Sequence, residues 1–135
     1  MVNLLVITHG DFADGLVDAM QLIIGPQEGI QTLSLKETDA IDLLGERVQT
    51  AVQELDQGEG VLVLVDLLGA SPFNISARLS MENKNVDVVT GVNLPMLLET
   101  AMQRQEMSLR EVAAVAKEAG TSGIVIVSEK MQSND

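Results

Sequence analysis

The chain contains no cysteine, tryptophan or tyrosine, and has one histidine and two phenylalanines in 135 residues. Without cysteine there is no disulfide, no thiolate chemistry and no cysteine-ligated metal, which suits a reducing compartment. A zinc site built on the lone histidine would need three carboxylates, so neither a metal nor a cofactor is expected. Aromatic residues are 1% of the chain against 46% apolar overall. The core must therefore come from Leu, Val, Ile, Ala and Met, packed by volume rather than by ring stacking. No apolar run approaches the roughly 20 residues that cross a bilayer, and the start lacks a basic segment followed by an apolar one, so a cytoplasmic location is expected. Basic residues are also scarce: eight against twenty acidic ones give a net charge of −12. That opposes nucleic acid and anionic membranes and steers in a partner with a basic face, although acidity also serves solubility alone.

What is present is alternation. No repeat, linker or low-complexity tract interrupts the chain, and its length suits one domain spanning 1–135. The nearly continuous apolar run VNLLVIT (2–8) predicts a strand buried on both faces. A helix should follow, capped by Asp11, with Phe12, Leu16, Ala19, Met20 and Ile23 as its apolar stripe and Gly25-Pro26 as its end. IQTLSL (30–35) alternates as a second strand, and Thr38 or Asp39 opens a helix with the stripe Ile41, Leu44, Val48, Val52 and Leu55.

VLVLVD (61–66) is the clearest buried strand, and Ser71-Pro72 places a capping hydroxyl before a proline at the start of a helix that ends near Ser80. VDVVT (86–90) is a fourth strand, followed by a helix start marked by Pro95, with Asn93 as its cap. Ser108 and Glu111 form a capping box for another helix closed by Gly120, and GIVIV (123–127) reads as a last strand. Strand and helix in regular alternation predict a doubly wound α/β fold with a mainly parallel sheet covered on both faces. Periodicity leaves open whether the fifth strand is antiparallel or pairs with another subunit.

In open parallel sheets, sites form at the carboxyl ends of strands where the strand order reverses, commonly between strands one and three. His9 ends strand one and Asp66 ends strand three, so that order brings the only imidazole to a carboxylate. A neutral imidazole is a good nucleophile near pH 7 and can accept a phosphoryl group on one nitrogen. A carboxylate holding the other N–H would select the tautomer and stabilise positive charge on the ring. The loop LLGASPFN adds an anion site: Gly69 permits close backbone approach, and Ser71 stands where a helix presents free N–H groups. Gly10 keeps the rim open beside His9. For each residue a plainer role stands beside this one, a core histidine, a turn carboxylate, a helix cap or a turn glycine. Neither G-x-x-x-x-G-K-[ST] nor G-x-G-x-x-G occurs, so nucleotide binding has no support. Asn74-Ile75-Ser76 fits a glycosylation sequon by coincidence, given no secretion signal.

The segments VITHGDFADGL, GVLVLVDLLGASPFNISARL and VVTGVNLPMLLETAM, in this order, closely resemble the IIA component of the mannose/fructose/sorbose class of the bacterial phosphoenolpyruvate-dependent sugar phosphotransferase system. The resemblance covers essentially the whole chain. It implies that His9 is phosphorylated by the phosphocarrier protein HPr and passes the group to the IIB component during sugar uptake. It further implies that Asp66 stands beside that histidine and that Ser71 contacts the phosphate. The implied fold has strand order 2-1-3-4 and an antiparallel fifth strand exchanged between the subunits of a homodimer, with Nε2 as the phosphorylated nitrogen. Ala70 departs from a second glycine common in relatives, and IIB is expected as a separate protein. Alternatives are the phosphotransfer subunit of a dihydroxyacetone kinase system, which shares the fold, and a non-enzymatic regulatory or interaction module with a structural His9. A response-regulator receiver would need an acidic pair after strand one, and a histidine phosphatase a second histidine. The transported sugar is not written in these residues.

Overall fold

A computed structural model describes residues 1–36 and 40–132. Its elements run β1 (Asn3–His9), α1 (Phe12–Ile24), β2 (Ile30–Leu35), α2 (Ile41–Leu55), β3 (Val61–Val65), α3 (Ser71–Glu82), β4 (Val86–Thr90), α4 (Leu94–Gln103), α5 (Leu109–Ser122) and α6 (Val127–Gln132). Among the described residues the sheet has four strands in the order β2-β1-β3-β4, every neighbouring pair parallel. The reversal of order falls between β1 and β3, with Ile7 opposite Val65.

The apolar runs are continuous because both sheet faces are covered. Leu4, Val6, Leu62 and Leu64 pack with Leu16, Met20, Met96, Leu97, Val112 and Ala116 under α1, α4 and α5. The alternate residues Leu5, Ile7, Val63 and Val65 pack under α2 and α3 with Leu44, Val48, Val52 and Leu55. At the amino-terminal edge, far from the reversal's carboxyl rim, the buried Arg104 donates through Nη1 to the carbonyls of Val2 (3.3 Å) and Gly29 (3.2 Å), and through Nη2 to that of Glu28. Burial lowers the pKa of this guanidinium.

Several local expectations hold. The Ser108–Glu111 capping box is reciprocal, at 3.2 and 3.0 Å, and Asn93 Oδ1 caps α4 by accepting from Met96 N at 2.9 Å. Others are corrected. Asp11 makes no capping bond; instead the buried Thr8 hydroxyl, from the end of β1, accepts from Ala13 N at 2.7 Å. That bond turns Ala13, Leu16 and Met20 toward the sheet and leaves Phe12 and Ile23 exposed, so the buried stripe is rotated from the expected one. Thr38 and Asp39 lie outside the described residues, and the residue preceding α2, Ala40, offers no side-chain cap. Helix α5 runs through Gly120 instead of closing there. A Cβ on Gly120 would lie 2.7 Å from Met96 Cε, so glycine serves the packing of α5 on α4, where Asn93 Nδ2 also donates to the Gly120 carbonyl.

The segment read as a fifth strand is not one in the single chain. Residues 124–126 have no regular structure, α6 follows, and Ile124, Val125, Ile126 and Val127 are 77%, 49%, 60% and 68% exposed. A strand needs an edge to pair with, and among the described residues this segment is paired with none. No helix of the described residues is long and apolar enough to cross a membrane.

Candidate functional site

His9 is the last residue of β1. Its register partner is Leu35 at the end of β2, and Gly10 N donates to the Leu35 carbonyl at 2.8 Å before the chain turns into α1. Gly10 makes that turn at φ 55°, a left-handed conformation that costs a side-chain-bearing residue about 1–2 kcal/mol. Behind the turn, Thr8 links the end of the strand to the start of α1. The ring of His9 is thus carried on a short, tethered corner.

Because β3 lies beside β1, Asp66 reaches His9 across the reversal. Its Oδ2 accepts from the backbone N–H of His9 at 2.9 Å and lies 2.9 Å from the ring Nδ1. Its Oδ1 accepts from Leu67 N at 3.0 Å. Burial alone would raise the pKa of this carboxyl, but the His9 backbone N–H, the ring and its own loop backbone together hold it below the ordinary value. Ionised, Asp66 can only accept, so in a neutral ring this contact favours the proton on Nδ1 and the lone pair on Nε2. The His9 side chain is 47% exposed and that of Asp66 13%. The arrangement leaves a half-exposed imidazole with a nearly covered carboxylate against one side of the ring.

The loop from Asp66 to α3 contains Gly69, at φ 85°, with open space where a Cβ would stand. Its conformation, rather than a close approach within the chain, is what requires glycine there. Asn74 Nδ2 donates to the Gly69 carbonyl at 3.3 Å and ties the loop back to α3. Ser71 is not the cap of α3 as expected: Ala70 holds that position, and Ser71 is the first helical residue. Its hydroxyl therefore has no partner among the described residues. It lines a groove of about 560 Å³ between α2 and α3, together with Ile41, Asn74 and Arg78. The structure joins His9 to Asp66 directly, whereas Ser71 touches neither through a hydrogen bond.

Two residues behind this corner carry no role in the sequence reading, Thr8 and Asn74. The signal for Thr8 was a hydroxyl at the last inward-facing position of a strand that turns at once into a helix. Asn74 could not be found from local spacing, because its side chain reaches back five residues to a loop carbonyl.

A family model described as the PTS system fructose IIA component matches residues 3–117. The chain is 35% identical over 124 residues to the PTS system mannose-specific EIIAB component of Escherichia coli (strain K12), covering 91% of this chain and 38% of that protein. It thus spans well under half the length of that curated relative. It is 27% identical to the PTS system fructose-specific EIIA component of Bacillus subtilis (strain 168), covering 98% of this chain and 90% of that one. The crystal structure of phosphotransferase system component EIIA from Streptococcus agalactiae superposes with a TM-score of 0.88 at 30% identity, covering 96% and 99% of the two chains.

Proposed function

Because this chain belongs to the mannose/fructose/sorbose family of phosphotransferase-system IIA components, we propose that His9 accepts a phosphoryl group from HPr and hands it to IIB during sugar uptake. The observation that carries this reading is the 2.9 Å contact between Nδ1 of a half-exposed His9 and the carboxylate of Asp66. In the acceptance step, the Nε2 lone pair of neutral His9 forms a P–N bond as the P–N bond of the donor's phosphoimidazolium breaks. The donor ring keeps that electron pair and leaves as neutral imidazole. The positive ring charge passes to His9, whose proton stays on Nδ1, hydrogen-bonded to the Asp66 carboxylate, so no proton is lost or gained. Transfer to IIB reverses these roles.

Asp66 acts in two ways, by selecting the Nδ1–H tautomer and by stabilising the imidazolium that forms. Ser71, whose hydroxyl has no partner among the described residues, and the backbone N–H groups at the start of α3 supply hydrogen bonds to the phosphoryl oxygens. Gly69 and Gly10 leave their approach unobstructed. The chain acts as one IIA unit over 1–135, in the cytoplasm. The exposed apolar run from Ile124 to Val127 pairs as an antiparallel strand with a second copy, giving a homodimer.

Incubation with phosphoenolpyruvate, enzyme I and HPr tests the reading. One acid-labile phosphate per chain is expected, and none in His9→Ala. No label on the wild-type protein, or equal label on His9→Ala, would refute it.

A further inference from the structure

Thr8 stands two residues beyond Val6 and four beyond Leu4, on the parity of β1 that packs under α1, α4 and α5. It is fully buried, at a place where an apolar side chain would be the default, so its hydroxyl has to be partnered. Oγ1 accepts from the N–H of the equally buried Ala13 at 2.7 Å and donates to the His9 carbonyl over a longer 3.2 Å. Helix α1 does not need that bond merely to begin. Ala13 is its second residue, and the second residues of α3 and α4 are Pro72 and Pro95, which have no N–H to satisfy. Residues 66–70 and 91–93 separate those helices from their strands, whereas only Gly10 and Asp11 separate α1 from β1. The hydroxyl thus ties strand to helix across the tightest corner at this end of the sheet.

That corner carries His9. The His9 N–H donates to Asp66 Oδ2 at 2.9 Å, its carbonyl accepts from Thr8, and the next N–H, of Gly10, donates to the Leu35 carbonyl at 2.8 Å. The ring has one hydrogen bond of its own among the described residues, from Nδ1 to the same Oδ2 at 2.9 Å. One carboxylate oxygen can serve both groups only while the backbone and the ring torsions of His9 agree. Slack in the backbone is therefore passed to the ring.

We propose that Thr8 is a positioning residue for phosphoryl transfer, its buried hydroxyl locking the β1–α1 corner so that the imidazole of His9 stays seated on Asp66. This rests on the phosphocarrier reading of His9. Without the hydroxyl the Ala13 N–H, which has no partner within its own helix, is left buried and unsatisfied. Relief comes from opening the corner to water at Gly10 and Asp11, next to the nucleophile. A ring displaced by a fraction of an ångström from the line of attack reacts more slowly whatever brings the phosphoryl group, because the loss lies in orientation rather than in donor binding.

The test compares two donors on the same variants. Phospho-HPr is a protein, whereas phosphoramidate is small: its zwitterion releases ammonia as its P–N bond breaks and the bond to His9 forms. Labelling of wild-type His9 by phospho-HPr first establishes the parent reading; its absence would overturn that reading and the role of Thr8 together. Given that label, Thr8→Val should slow labelling about tenfold with either donor and leave the half-saturating concentration of phospho-HPr within about twofold. Thr8→Ser, which keeps the hydroxyl, should stay within about threefold of wild type with both donors. Thr8→Ala combined with Ala13→Pro removes acceptor and donor together, copying the starts of α3 and α4, and orphans no buried N–H. This double variant keeps the question measurable even where Thr8→Val fails to fold. Its urea midpoint should lie near that of wild type while its labelling stays about tenfold slow. Labelling that recovers together with stability in the double variant would reduce Thr8 to a helix partner and overturn the proposal. So would a folded Thr8→Val within twofold of wild type, a loss confined to phospho-HPr, or Thr8→Ser as slow as Thr8→Val, each leaving His9 as carrier.

Discussion

Replacing Asp66 with asparagine keeps the shape of the side chain but removes one acceptor and the charge, and the surroundings admit no good orientation for the amide. In the native protein Oδ2 receives two N–H groups of His9 and Oδ1 receives that of Leu67, at 2.9, 2.9 and 3.0 Å. If the amide oxygen faces His9, the NH₂ group meets the Leu67 N–H, donor against donor. If the oxygen faces Leu67, the NH₂ meets the His9 N–H and also donates to Nδ1, which moves the ring proton to Nε2 and blocks the nucleophile. The first orientation retains the right tautomer but loses a charge-assisted hydrogen bond to the developing imidazolium, worth about 1.5–3 kcal/mol. At about 1.4 kcal/mol per decade, phosphoryl acceptance should slow by roughly 10- to 100-fold, and further in whatever fraction adopts the second orientation. Rapid-quench measurement of label transfer from HPr in a single turnover reads the rate directly. Nitrogen NMR of the imidazole reads the tautomer, with protonated Nδ1 expected in the wild-type protein. A rate within twofold of wild type would refute this account of Asp66.

Arg104→Met should lower stability by about 1–3 kcal/mol, because the Val2 and Glu28 carbonyls lose their Arg104 donor while Gly29 keeps the Leu4 N–H. A urea midpoint within error of wild type would contradict this, and phosphoryl acceptance by the folded variant should be unaffected. The pKa of Asp66 is lowered by folding, so its stabilising contribution is complete above the unfolded carboxyl value of about 3.9 and disappears as pH falls through the lower folded value. The stability gap between wild type and Asp66→Asn in urea melts should therefore shrink below about pH 4; a gap constant with pH would show that the carboxylate is not selectively held in the native state.

Much of this was legible in the order of residues. Runs such as VLVLV, apolar on both parities, can only be strands covered on both faces, and the helical stripes between them leave a doubly wound sheet as the natural arrangement. Local chemistry also identified the caps at Asn93 and Ser108, since each bond spans only three residues. The same local reading failed at α1, where a hydroxyl from the preceding strand displaced Asp11 as the cap and rotated the buried stripe. At GIVIV local composition did not decide the outcome: residues 124–126 have no regular structure in the single chain and pair with no strand among the described residues.

The sequence by itself determined which residues stand at strand ends, because turning from strand to helix is written in a few neighbouring positions: His9 before Gly10, and Asp66 before Leu67. It could not determine that those two ends meet. Fifty-seven residues separate His9 from Asp66, and their 2.9 Å contact exists only because β3, rather than β4 or another chain, lies against β1. Periodicity records which face of an element is buried. Which element covers it follows from packing the whole chain, and from that packing comes the orientation of the single imidazole.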